Sequence, residues 1–340
     1  MSSHSPLTLY SSFIDGHRKE IEELPEFKPL YNLMNSDTTI SKHLNKLVGT
    51  CENLTLRTVW DYLSYFLYKQ ISRCTDKLEF DPETFDNIYY DLEQFFYHDN
   101  VDLQVFSPLH NFSSDIDEID LGNGLRIRRD ISSEPVGILS QNTVSQIPYS
   151  DMNYWEWKIE LTYQTEKVII EKPNSNSISQ YTSEALTIYG NVNAIFDKLV
   201  TALRLFKSGM VGFNIIKRKP MADIPIILKD PFDYSTGTYS PFSGQQYTLT
   251  ETEVSEFRSF WDKFNKTKPF QIAPLGVAIR RFNYAYGRDK LEDKLMDYMI
   301  AFEALFFKQD EMGEFSHKLA VGVSRLLKQN YEERKDMMGK

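Results

Sequence analysis

The sequence predicts an α+β chain: a mixed α/β region over residues 1–250, followed by an all-helical bundle over residues 251–340. Three observations predict it. Apolar residues recur at helical spacing through most of the first hundred positions. Strict two-residue alternation appears at Trp155–Tyr163. After a Pro-, Gly-, Ser-, Thr- and Tyr-rich stretch at 231–250, helical spacing returns and continues to the end.

Each element has its own signal. Trp60, Leu63, Leu67 and Ile71 mark one amphipathic helix. Asp81-Pro82 opens the next, a capping carboxylate ahead of proline at the first helical position, and Phe85, Ile88, Tyr89, Leu92, Phe95 and Phe96 follow at helical spacing. The plain reading of these aromatic stripes is core packing. Asn123-Gly124 is a tight-turn dipeptide leading into a strand at Leu125–Arg129. Trp155, Trp157, Ile159, Leu161 and Tyr163 alternate with Glu156, Lys158, Glu160 and Thr162, which predicts a strand with its polar face in water. Val168–Ile170 should extend or pair with it. Lys172–Ser177 reads as a loop, Val192–Lys207 as a helix ended by Ser208-Gly209, and Val211–Ile216 and Ile224–Leu228 as strands.

Residues 231–250 read as a long loop or interdomain linker. Beyond it, Val254, Phe257, Phe260, Trp261 and Phe264 form one stripe, and Leu275, Ile279 and Phe282 a second after Pro274. Asp289 with Glu292 is placed to cap a third helix whose Leu291, Leu295, Tyr298, Met299, Phe302, Leu305 and Phe306 share a face. Gly313 breaks it, Ser316 caps a fourth, and Leu319, Val323, Leu326 and Leu327 line that one. No repeat of solenoid length is present.

Composition narrows the function classes. The chain is 41% hydrophobic and 14% aromatic, which excludes a disordered tract. It has no apolar run of spanning length and no basic-then-apolar leader, so it reads as cytoplasmic, with no membrane partner. Cys51 and Cys74 are the only cysteines, too few to staple 340 residues. The net charge of −10 argues against a generic polyanion binder, yet residues 251–340 carry 16 basic and 15 acidic side chains. The acidity therefore lies in residues 1–250, and the C-terminal part is free to meet nucleic acid.

Several chemistries lack their residues. There is no phosphate-binding Gly-rich loop with Lys-Ser/Thr, Gly122-x-Gly124 lacks the third glycine of a dinucleotide fold, and no His-Glu-x-x-His occurs. The scattered histidines have no metal-ligand spacing, so neither a metal nor a cofactor is expected. Glu156 and Lys158 share a strand face, as in half of a metal-dependent nuclease site, with Asp120 or Asp130 as the missing carboxylate. A solvated polar face is the simpler account.

The strings Ile279-Arg280-Arg281-Phe282-Asn283-Tyr284-Ala285 and Asp297-Tyr298-Met299-Ile300-Ala301-Phe302-Glu303-Ala304-Leu305-Phe306, with Lys318-Leu319-Ala320 and Arg325-Leu326-Leu327 after them, resemble the ApeA-like HEPN family. Phe112–Arg129 looks like the region preceding the bundle in such proteins. The resemblance covers about the last fifth of the chain. It implies an up-and-down helical bundle that homodimerises and, in many members, a metal-independent ribonuclease of antiphage-defence or toxin type, with tRNA-like RNA as substrate. The chemistry there rests on an Arg and a His with four to six residues between them, paired across the dimer. His moves the ribose proton, and Arg offsets developing phosphoryl charge.

None of the six histidines, at 4, 17, 43, 98, 110 and 317, has an Arg at that spacing upstream. No catalytic residue is therefore assigned, and the expectation is a fragment whose motif-bearing helix follows Lys340. The resemblance offers Glu303 as support for an active-site cleft, against the bland alternative of a partly exposed helix carboxylate. Arg280, Arg281 and Arg288 are candidate RNA phosphate contacts, against a solvated helix face. His317 reads as a first-turn surface residue. The rival to the ribonuclease reading is a non-catalytic dimerisation or interaction module.

Overall fold

The computed structural model describes residues 14, 16–50, 53–73, 81–129, 156–171, 175–213, 215–222, 234–235, 245–306, 315–328 and 330–338. Expectations for Ile224–Leu228, for Gly313 and for Asp130 fall outside them. The chain is a mixed α+β protein whose C-terminal region is mostly helical.

In order, the elements are α1 (Arg18–Glu22), α2 (Phe27–Ser36), β1 (Lys46–Thr50), β2 (Asn53–Arg57), α3 (Val59–Arg73), α4 (Pro82–Tyr97), β3 (Asn100–Pro108), β4 (Phe112–Ser114), β5 (Glu118–Asp120), β6 (Leu125–Arg129), β7 (Trp157–Glu166) and β8 (Val168–Ile170). Then come α5 (Ser175–Phe206), β9 (Ile215–Pro220), β10 (Tyr234–Ser235), β11 (Tyr247–Leu249), α6 (Glu251–Thr267), α7 (Ala273–Tyr286), α8 (Leu291–Phe306), α9 (Phe315–Leu327) and α10 (Tyr331–Met338).

Six strands form an antiparallel sheet in the order β10-β9-β3-β7-β6-β5. The Asn123-Gly124 turn behaves as its residues require. Both have positive φ (53° and 76°), and the Leu125 N–H donates to the Gly122 carbonyl at 3.0 Å. A Cβ on Gly124 would lie 2.4 Å from the Thr162 carbonyl oxygen, so the neighbouring strand also demands glycine. Strand β8 does not extend or pair with β7. It joins β1 instead, with Val48 opposite Ile169, in a separate β2-β1-β8 sheet. Within 231–250, expected as loop, β11 runs parallel to β4.

One core unites the inner face of the large sheet with three helices. Val105, Ile127 and Ile159 from the sheet, Phe196, Leu199 and Leu203 from α5, Val254, Phe257 and Trp261 from α6, and Ile279 from α7 share it. Residues on either side of position 250 are thus buried together. A second core beneath α2–α4 gathers Val48, Val59, Tyr62, Phe95, Phe96, Val101 and Leu103.

Helix ends follow local chemistry. Asp81 accepts the Thr84 N–H at 3.2 Å and opens α4 at Pro82. Thr250 and Glu253 form a reciprocal capping box on α6. Helix α5 starts at Ser175, well ahead of the expected Val192 and inside the expected loop. Helix α8 starts at Leu291, so Asp289 stands two positions ahead of it.

The outer face of β7 is not solvated as its alternation suggested. Glu160 is fully buried and ion-paired to Arg126 (2.8 Å), Lys158 (2.9 Å) and Arg128 (3.1 Å). Burial pushes its carboxyl pKa up, but these cations outweigh that and hold it below the usual range. No helix among the described residues is long and apolar enough to cross a membrane.

Candidate functional site

The residues that carry the sequence resemblance meet where α5, α7 and α8 join. Pro274 stands in the first turn of α7, where its missing N–H costs nothing, and α7 ends at Gly287. Four residues link it to α8, so the two helices form a hairpin.

Its centre is Asp297, buried at 2% exposure on the inward side of α8. Arg281 of α7 reaches one carboxylate oxygen at 3.0 Å, and Arg288 from the linker reaches the other at 2.8 Å. The hydrogen bond from Arg288, with Arg281 beside it, holds the Asp297 pKa below the usual carboxylate range. Phe282 and Tyr298 add a ring contact with centroids 6.1 Å apart across the same seam.

A second polar chain fastens α7 to α5. Arg204 donates to the Val211 carbonyl through Nε (3.0 Å) and Nη2 (2.9 Å), and to Asn283 Oδ1 through Nη1 (3.2 Å). Asn283 Nδ2 donates to Thr201 Oγ1 at 2.6 Å, and that hydroxyl donates to the Asp197 carbonyl at 2.7 Å. The guanidinium also lies 4.5 Å from the Tyr286 ring centroid. Burial pushes the Arg204 pKa down to about 10 and raises that of Tyr286. Every donor direction of this arginine that is satisfied points at protein. The network fastens α7 to α5.

The candidate residues separate accordingly. Arg281 and Arg288 come together on Asp297. Each keeps part of its surface open, with side chains 38% and 46% exposed. Arg280 points to solvent and makes no ion pair among the described residues. Glu303 is half-buried on α8, six residues beyond Asp297, and takes no part in the Asp297 clamp or the Arg204 chain. His317 lies on α9.

The strand-borne alternative loses its geometry. Glu156 is ion-paired with Arg129, Lys158 with Glu160 at 2.9 Å, and the Asp120 carboxylate accepts the Gly122 N–H at 2.9 Å. Among the described residues no group of three or more His, Cys, Asp or Glu could hold a metal ion.

Sequence reasoning quoted Asp297 and Asn283 without giving them roles, and it passed over Arg204 and Thr201. Arg281 lies on α7 and Arg288 in the linker after it, so helical spacing gave no signal that they meet on one carboxylate. Nothing local marks the link from Arg204 to Asn283.

The apolar stripe expected on α8 is the other surprise. Leu291 (76%), Leu295 (60%) and Phe302 (42%) are exposed, while Asp297 and Ala301 face inward. On α9, Leu326 and Leu327 are exposed as well. Comparison with protein-family models, with curated proteins and with solved structures finds no match to the chain.

Proposed function

We propose that residues 251–340 are part of a HEPN-like bundle of antiphage-defence or toxin type, acting on tRNA-like RNA from a cytoplasmic homodimer. In bundles of this kind that carry the Arg/His pair, the resemblance implies a metal-independent ribonuclease. The observation that carries this reading is the α7–α8 hairpin. The two strings that resemble the family interlock through Arg281–Asp297 and Phe282–Tyr298, as successive helices of one bundle would. The Arg/His pair that would cut RNA is absent from these 340 residues, so the activity left to them is RNA binding. Arg280 is the side chain best placed to meet a phosphate, and the open edges of Arg281 and Arg288 lie on the same hairpin.

The test is tRNA binding by fluorescence anisotropy across a salt series. Arg280→Glu should weaken binding and lower the log–log salt slope by about 1, the signature of one lost phosphate contact. An unchanged slope and affinity would remove Arg280 from the RNA face.

The acidic N-terminal region would sense a trigger or restrain the bundle. Because α6 and Ile279 of α7 share the sheet's core, deleting residues 1–250 would expose that core. Point variants in the sheet region are the sounder probe.

A second reading is favoured by the exposed stripe on α8. In it the hairpin is a non-catalytic interaction module that buries Leu295, Met299 and Phe302 against a partner. Sedimentation of the wild type against Leu295→Asp, beside the tRNA titration, separates the two: a dimer lost in the variant from a chain that binds no tRNA favours the module.

A further inference from the structure

An open cleft of about 440 Å³ lies between the Gly122–Asn123 turn and helices α5 and α6. That volume falls in the range of small-molecule sites, roughly 300–1,000 Å³. Its floor is apolar: Leu121, Leu125, Leu161 and Ile195. Its rim is polar: Asn123, Lys198, Asp262, Asn265 and Lys266.

Both walls are fixed before any ligand arrives. The turn is locked by Leu125 N–H to the Gly122 carbonyl (3.0 Å) and Leu121 N–H to the Leu125 carbonyl (2.9 Å). Helix α6 is tied to the same hairpin by Arg258 Nε, which donates to the Asp120 carbonyl at 3.0 Å. A preformed cleft spares a ligand the cost of ordering it.

The rim contrasts with its surroundings. Arg126, Glu160 and Arg258 nearby are all engaged with protein groups. The side chains of Asn123, Asp262, Asn265 and Lys266 make no hydrogen bond or ion pair among the described residues. Lys198 has no carboxylate partner there either, and its ammonium lies 5.8 Å from the Trp261 ring centroid and 5.9 Å from that of Phe264. Burial and the charge of Lys268 push its pKa down. In a chain of net charge −10, this is a local excess of cations above an apolar floor, with Asp262 the one carboxylate among the rim residues.

We propose that this cleft binds a nucleotide. Its phosphate would lie between Lys198 and Lys266, and its base on the floor of Leu121, Leu125, Leu161 and Ile195. The amides of Asn123 and Asn265 each offer a donor and an acceptor to heterocycle edges, and Asp262 accepts from sugar hydroxyls. The inference does not depend on the RNA reading of the bundle.

Isothermal titration calorimetry of the whole chain with AMP, adenosine and inorganic phosphate tests it. AMP should bind with a Kd of about 1 mM or tighter, and adenosine and phosphate each at least about tenfold more weakly. Lys266→Glu, at an exposed helix position, should weaken AMP about tenfold with thermal unfolding unchanged, and Asn265→Ala should weaken it less. Arg280→Glu should leave it alone. Three results would overturn the proposal: no binding of AMP, GMP, CMP or UMP; AMP binding indifferent to Lys266→Glu and Asn265→Ala; or phosphate binding as tightly as AMP.

Discussion

Helices α6 and α8 have nearly the same length and comparable apolar stripes, yet they end in opposite environments. On α6, Val254, Phe257, Trp261 and Phe264 are between 0% and 7% exposed, sunk into the core between α5 and the sheet. On α8, Leu295, Phe302 and Leu305 are 60%, 42% and 45% exposed, while the side turned to α7 carries Asp297 and Ala301. One helix is held by apolar burial, the other by a charged clamp and a ring contact. Helical periodicity states that a face needs cover, but not where that cover comes from. The exposed face of α8 is therefore apolar surface that the described residues leave uncovered.

The largest break in the comparison should come from α6. Phe257→Ala empties a site at 0% exposure and should cost about 3–5 kcal/mol in urea unfolding. A loss below about 1 kcal/mol would mean that α6 is not part of the main core.

Next comes the second core, which contains a titratable group. His43 is 2% exposed, its Nδ1 lies 3.0 Å from the Thr39 carbonyl, and its ring packs on Phe96 at 5.2 Å. Burial and the nearby Lys167 push its pKa down to about 4 from 6.5. The unfolded chain therefore takes up a proton at higher pH than the folded one. The stability this histidine supports is complete above pH 6.5 and drains away as pH falls towards 4. The linkage amounts to about 3 kcal/mol. Denaturation at pH 7 and pH 4.5 should show that loss in the wild type and a smaller one in His43→Gln. Equal losses would remove His43 as the cause.

Asp297→Asn should cost about 1–3 kcal/mol, because it takes a buried carboxylate from Arg281 and Arg288 while leaving both guanidinium groups partly in water. Arg280→Ala should be neutral when both variants are compared by urea unfolding, which separates clamp from surface. The smallest effect is expected for Leu295→Ser, within about 0.5 kcal/mol for the monomer. A larger, concentration-dependent loss would show that its face is covered in solution.

Local chemistry was legible where one short segment decides. Asn123-Gly124 announced the turn and β6, Asp81-Pro82 announced α4, and the Phe257–Trp261 stripe announced α6. Pairings made across long stretches of chain were not. Val48 finds Ile169, and Phe112 finds Tyr247, because tertiary packing selects those partners, and alternation alone carries no address. The site divides the same way. The strings around Arg281 and Asp297 were visible as helices. That a carboxylate would sit between two arginines, and that Asn283 would receive Arg204, depended on how α7 docks on α5. The sequence shows the charge of Arg281 and Arg288 but not that Asp297 pairs with both.

The central proposal is that the α7–α8 hairpin belongs to a HEPN-like module that binds RNA, with no Arg/His cutting pair among these 340 residues. Incubating the purified chain with tRNA in EDTA, then resolving the mixture on native and denaturing gels, tests it most directly. The account predicts a retarded complex containing intact tRNA. Cleaved tRNA, or no complex at any protein concentration tried, would contradict it.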